Sequence, residues 1–268
     1  MKRVLSAVLA MSLLCMVSPA FSQTPEAPGV LSGNGFTATG DVSFFTKYVW
    51  RGMILDRDAV IQPGYYLSTP DKGFGVFTAK IWVNHDLENE DTLKSDEQDY
   101  TLDYTYALGK YALSAGNTYY DFSGTNTFSK EWYLGLTFPV VPCPTIGTIK
   151  GITACPSVFF YRDYGDPKNG GGNGTYTVLN LGIGVPVAVS RYNCSLDLAG
   201  HYGFNHKDFI NRDGQDLGLS AGFTVPITAS ATVSPNVNYS RAFSHLRDPA
   251  DGNQKSRVYW GVTAKYKF

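Results

Sequence analysis

The stretch Arg257-Val258-Tyr259-Trp260-Gly261-Val262-Thr263-Ala264-Lys265-Tyr266-Lys267-Phe268 closes the chain and decides the fold. Val258, Trp260, Val262, Ala264, Tyr266 and Phe268 alternate with Arg257, Tyr259, Gly261, Thr263, Lys265 and Lys267, a period of two. Successive side chains of a strand point to opposite faces. A strand here therefore carries its apolar groups on one face and its small and charged groups on the other.

Working outward, the same period recurs over 36–50, 59–68, 74–84, 99–108, 111–121, 131–140, 157–163, 175–186, 191–204, 215–226, 230–242 and 257–268, an even set of twelve segments. No helical periodicity supplies a layer to cover them. The connections sort by length. Residues 69–73, 109–110, 187–190 and 228–229 turn the chain back quickly, whereas 86–98, 121–129, 163–174, 205–214 and 244–256 are longer and polar. Short turns at one end and long loops at the other are the arrangement of an outer-membrane barrel. The prediction is an all-β chain forming a single antiparallel transmembrane β-barrel of about 12 strands over residues 35–268. Pro63 and Pro235 fall inside two of these strands, where a closed sheet has no edge to spare the lost donor, so bulges are expected there.

The N-terminus reads differently. Lys2-Arg3, an apolar run from Val4 to Val17 and the small residues Ser18-Pro19-Ala20 form the three parts of a secretory signal, expected to span 1–22 and be cleaved. The run is short of the roughly twenty residues a spanning helix needs. Residues 23–34 read as a flexible N-terminal segment. With 22 Lys+Arg against 23 Asp+Glu the chain has no basic excess, which argues against a nucleic-acid partner. The 18 Tyr, 16 Phe and 4 Trp instead suit the aromatic girdles of a membrane barrel.

Placing the apolar parity toward lipid leaves the other parity in the lumen. There the expected pore-lining residues are Lys47, Arg51, Asp99, Asp103, Glu131, Asp197, His201 and Lys265. Charges of both signs in that space need water or each other, which suits a hydrated pore and also a sealed plug of ion pairs; the narrow pore is preferred. Arg51, just before Gly52, is placed either at a pore mouth or bracing the first loop against a carboxylate, with the bracing role preferred. Cys143 and Cys155 flank a long connection in an oxidising compartment and are expected to form a disulfide that pinches it; other pairings with Cys194 stay open.

Catalytic chemistry is mostly missing. His201 shares its parity with Asp197, but four residues along a strand span about 13 Å, too far for a direct pair. No Gly-x-Ser-x-Gly or His-Glu-x-x-His pattern occurs. No enzyme activity, cofactor or metal is expected.

A resemblance sharpens the reading. Residues 41–52, Asp-Val-Ser-Phe-Phe-Thr-Lys-Tyr-Val-Trp-Arg-Gly, are followed by Ala59-Val60-Ile61-Gln62-Pro63-Gly64 and Gly73-Phe74-Gly75. Over about 40–84 this resembles the opening of the TorF-like porin family of Gram-negative outer-membrane β-barrel proteins, whose Tyr-x-[Phe/Trp]-Arg-Gly element appears as Tyr48, Trp50, Arg51 and Gly52. The terminal Tyr266-Lys267-Phe268 is similar to the C-terminal signal read by the barrel-insertion machinery. The implied function is a porin-like channel for passive diffusion of small polar solutes in the cell outer membrane, in contact with its lipid and lipopolysaccharide. The alternatives are a closed barrel with a structural or surface-binding role and a lipid-modifying outer-membrane enzyme.

Overall fold

The structure, a computed structural model, describes residues 35–88, 96–123, 125, 127–166, 172–190, 192–208, 213–247 and 256–268. The expected signal and the N-terminal segment lie outside the described residues. Fifteen strands follow in chain order: β1 (Thr37–Phe45), β2 (Tyr48–Trp50), β3 (Met53–Asp56), β4 (Val60–Ser68), β5 (Val76–Asp86), β6 (Glu97–Leu108), β7 (Tyr111–Phe122), β8 (Thr127–Thr137), β9 (Val141–Pro142), β10 (Thr153–Asp163), β11 (Thr175–Val189), β12 (Tyr192–His206), β13 (Asp213–Pro226), β14 (Ala231–Phe243) and β15 (Arg257–Lys267).

Twelve of them close into one antiparallel barrel, in the order β1-β4-β5-β6-β7-β8-β10-β11-β12-β13-β14-β15, with β15 returning to β1. Closure leaves the barrel without a free edge, so every strand finds two partners. The two-residue β9 adds to β10 at the short-turn end. β2 and β3 pair only with each other.

The period of two is realised as predicted. In β15, Val258 and Trp260 stand outward, 65% and 54% exposed, whereas Tyr259 and Thr263 point inward and are buried. Leu102, Leu134, Leu179 and Leu219 continue the exposed apolar band around the outside. Outward aromatics flank it: Trp132, Tyr202, Phe204 and Trp260 toward the loops, Phe77, Tyr106, Tyr266 and Phe268 toward the turns.

Three expectations are corrected. The first predicted strand is too long: β1 stops at Phe45, and Tyr48–Trp50 belongs to the separate β2–β3 hairpin. The prolines cause no bulge. Pro63 faces Val42 and Pro235 faces Val262 with unbroken register. On its other side each ladder resumes in the same register, Ile61↔His85 to Gly64↔Trp82 and Gly222↔Asn236 to Val225↔Val233. Each proline thus costs a local pairing on one flank only.

The third correction is the disulfide. Cys143 and Cys194 are free thiols. Thr153 pairs with Pro142 and the Cys143 amide donates to the Ile152 carbonyl, so Cys143 and Cys155 are staggered by three residues along the ladder. That is about 10 Å of strand, beyond the Cα separation a disulfide spans. Cys155 is disulfide-bonded, but not to Cys143 or Cys194.

Inside the barrel, rings lie over glycines of the neighbouring strand: Phe45 on Gly261, Tyr133 on Gly116 and Phe159 on Gly135. A Cβ at Gly135 would enter the Phe159 ring. Gly135→Val is therefore expected to destabilise the barrel by about 1–3 kcal/mol. The check is its thermal unfolding midpoint in detergent, which should fall below that of wild type.

Candidate functional site: a hairpin lodged in the lumen

The chain leaves β1 at the long-loop end and, instead of projecting outward, doubles back into the barrel. Trp50 pairs with Met53 across a two-residue turn in which Arg51 and Gly52 have φ of 47° and 76°. Positive φ at both central positions is the geometry whose twist matches a tight hairpin. Glycine adopts it freely; for arginine it is uncommon and costs energy. Gly52 is also held by space, since a Cβ there would lie 2.5 Å from the Asp216 Cβ.

Tyr48, Val49, Trp50, Met53 and Ile54 are all buried, and they pack with Phe45, Val60, Ala242, Leu246 and Tyr259 into one apolar cluster within the barrel wall. Trp82 packs against Tyr48, the ring centroids 5.6 Å apart and the planes tilted by 53°. Burying these side chains drives the hairpin inward, as apolar area leaves water. Leu246, in a short 3-10 turn (Ser244–Leu246), covers the hairpin tip from the loop side.

At the tip, Arg51 is 1% exposed. Its guanidinium donates to both oxygens of Glu131, at 2.7 and 2.8 Å, and to Asp208, both carboxylates being fully buried. Three rings surround it: Trp50, Tyr161 and Tyr176 at 4.2, 4.5 and 4.4 Å from its carbon. Bidentate carboxylate pairing and ring faces together are what a planar guanidinium accepts and an ammonium does not. Tyr120 donates to Glu131 at 3.0 Å, and Tyr48 donates to Glu97 at 2.9 Å. The hairpin is thus fastened to β6, β8 and the loop after β12.

The other expected lumen residues separate into two halves. Glu131 joins the latch around Arg51, and Asp103 lies deeper, taking a hydrogen bond from Tyr133 and standing 3.8 Å from Lys80. Asp99 faces inward one turn of the pleat from Glu97. His201 is buried, and its Nε2 meets Asp216 at 2.6 Å, with Tyr176 donating to the same carboxylate at 3.0 Å. Asp197 accepts instead from Ser195 and Thr224 toward the turns. Lys265 sits on the inward parity of β15, opposite Asp41. Lys47 is not on a barrel strand at all: it lies between β1 and β2, where its ammonium donates to the Arg57 carbonyl and ties the base of the hairpin. Arg51 leaves the wall for the same reason, carried into the lumen by the hairpin turn.

The turn-end half contrasts with the latched half. It is lined by hydroxyl pairs bridging neighbouring strands: Ser68–Thr78, Thr105–Ser114 and Thr224–Ser234, each at 2.9 Å. Asp208, Glu97, Asp216 and the ring partners of Arg51 were not among the predicted site residues. Asp216 could have been found, because it interleaves with the outward Leu217 and Leu219; Asp208 lies in a loop, where no periodicity points inward.

Burial pushes the Asp208 carboxyl up to about 7 against the opposing pull of Arg51. A carboxyl raised in the folded state holds its proton more tightly than in the unfolded chain. The stability this contributes is complete below about pH 4, the unfolded value, and is lost as pH rises toward 7. Between those limits wild type should lose stability relative to Asp208→Asn, measured as melting temperature against pH; parallel curves would refute the assignment. Arg51→Met strands Glu131 as a buried unpaired charge and should cost about 3–5 kcal/mol, read by thermal unfolding, with part recovered in Arg51→Met/Glu131→Gln.

No protein-family model matches this chain, and no curated protein matches it in sequence. Solved structures do match in shape. The COG4313 outer membrane channel from Pseudomonas putida F1 is similar with a TM-score of 0.52 at 10% identity, covering 92% of this chain and 100% of that one. LpxR from Salmonella typhimurium is similar at TM-score 0.52 and 8% identity, over 86% of this chain and 100% of that one. The NanC porin is similar at TM-score 0.50 and 8% identity, over 85% of this chain and 100% of that one. Together they establish that this chain has the fold of outer-membrane β-barrels.

Proposed function

We propose that the chain is an outer-membrane, porin-like channel for small polar solutes, with the Tyr48–Asp56 hairpin as its constriction. The observation that carries this is the division of the lumen: hydroxyl pairs line the half toward the short turns, and one hairpin fills the mouth at the loops. A barrel meant only to be solid has no use for a polar half lined by small side chains. The apolar outer band with its aromatic flanks suits outer-membrane lipid and lipopolysaccharide of a Gram-negative cell. Phe268 at the end of the closing strand suits recognition by the insertion machinery. The resemblance of residues 40–84 to TorF-like porins belongs with the same reading, and the hairpin lies within that matched stretch. The pore does its work without covalent chemistry.

The latch also favours a second reading, a closed barrel with a structural or surface-binding role, because the charges at its centre are buried and paired with one another. Planar-bilayer recording distinguishes the two. Wild type is expected to give small or brief conductance steps, and a variant with residues 47–57 replaced by a two-residue turn is expected to give larger, steady ones. A heat-shift gel confirms that each protein is a folded barrel. Silence from both folded proteins selects the closed barrel.

A further inference from the structure

We infer that the lumen selects cationic solutes over anions, an inference that rests on the channel reading above and names its substrate class. The inward-facing charges are lopsided. Glu97, Asp99, Asp103, Glu131, Asp208 and Asp216 occupy the loop-end half, and Asp41 and Asp197 stand nearer the turns. Against them stand Arg51, Lys80 and the β15 residues of inward parity, Arg257, Lys265 and Lys267. The whole chain is almost neutral, at −1, so this excess of carboxylates is a property of the lumen and not of the composition.

A second observation is independent of that count. Buried side-chain oxygens inside the barrel accept no hydrogen bond: Oδ1 of Asp99, of Asp208 and of Asn180. Asp208 and Asn180 are 0% and 5% exposed. Buried polar atoms ordinarily find partners. The amide oxygen of Asn180 can only accept, as can a carboxyl group that has lost its proton, and what satisfies them is a donor or a cation. They lie on β6, on β11 and in the loop after β12, at separate positions around the barrel interior.

The cations already present leave acceptors to spare. Arg51 is committed to Glu131 and Asp208, and Lys80 stands near Asp103. Tyr133 and Tyr176 donate to Asp103 and Asp216, which fixes those carboxylates facing inward. A narrow, weakly hydrated passage edged by fixed carboxylates lowers the energy of a passing cation and raises that of an anion. Small inorganic cations and compounds carrying an ammonium group fit this lining; sulfonates, phosphates and carboxylates do not.

The test is the reversal potential across a planar bilayer with unequal KCl on the two sides. It is recorded for wild type and for the variant with residues 47–57 replaced by a two-residue turn. The expected result is a several-fold preference for K⁺ over Cl⁻. It should fall toward unity in Asp99→Asn/Asp197→Asn and rise in Lys80→Gln. Conducting steps without cation preference, or with preference for Cl⁻, overturn this inference and leave the channel reading standing. Absence of steps from both folded proteins overturns the channel reading and this inference with it.

Discussion

The Arg51 guanidinium is the interaction on which the rest of the lumen depends. A charge held at 1% exposure inside a barrel is unfavourable by several kcal/mol unless its surroundings replace the water it has left. Here two carboxylates and three aromatic faces do so. Two of those groups are in turn fixed, Glu131 by Tyr120 and Tyr176 by Asp216, which is itself held by His201. The strained backbone at Arg51 and the close fit at Gly52 are tolerated because this set of contacts over-determines them. Without the arginine, the acidic residues gathered around it would face one another across a few ångströms.

Much of the fold is legible in the sequence because a barrel strand alternates in and out whatever its neighbours do. The Val258 to Phe268 alternation, the strand count and the sorting of loops by length all follow from that rule. The hairpin is not legible for the same reason. Tyr48 and Trp50 continue the alternation of β1, and a period of two is blind to whether the chain has left the sheet and re-entered it. The signal that was available is local: a non-glycine residue followed by Gly52 at the end of an apolar run is a tight-turn signature. The candidate site divides along the same line. Asp103, Glu131, Asp197 and His201 could be placed by parity because they lie on barrel strands. Asp208 could not, because it reaches the lumen from a loop. Asp197 and His201 share a face yet have different partners, since the neighbour of each is chosen by cross-strand register and not by spacing along one strand.

The prolines show how much tolerance a closed sheet has. Pro63 and Pro235 each lack an amide donor, and a bulge would have displaced every following residue to the other face. The register instead runs on unshifted on both flanks. Losing one ladder bond costs less than turning the lipid-facing side chains of half a strand into the lumen, so the sheet absorbs the gap.

The hairpin follows the first barrel strand, yet its fastenings come much later in the chain. Arg51 and its acceptors are separated by 80 and 157 residues. Closing so wide a loop is entropically slow, and neither acceptor is in place until β8 and the end of β12 have joined the sheet. Tyr259, another neighbour of the hairpin, arrives only with β15, the strand that seals the seam against β1. An apolar segment made early is therefore among the last to find its seat. The interior cannot be fully packed around the hairpin until the strand that seals the cylinder is in place.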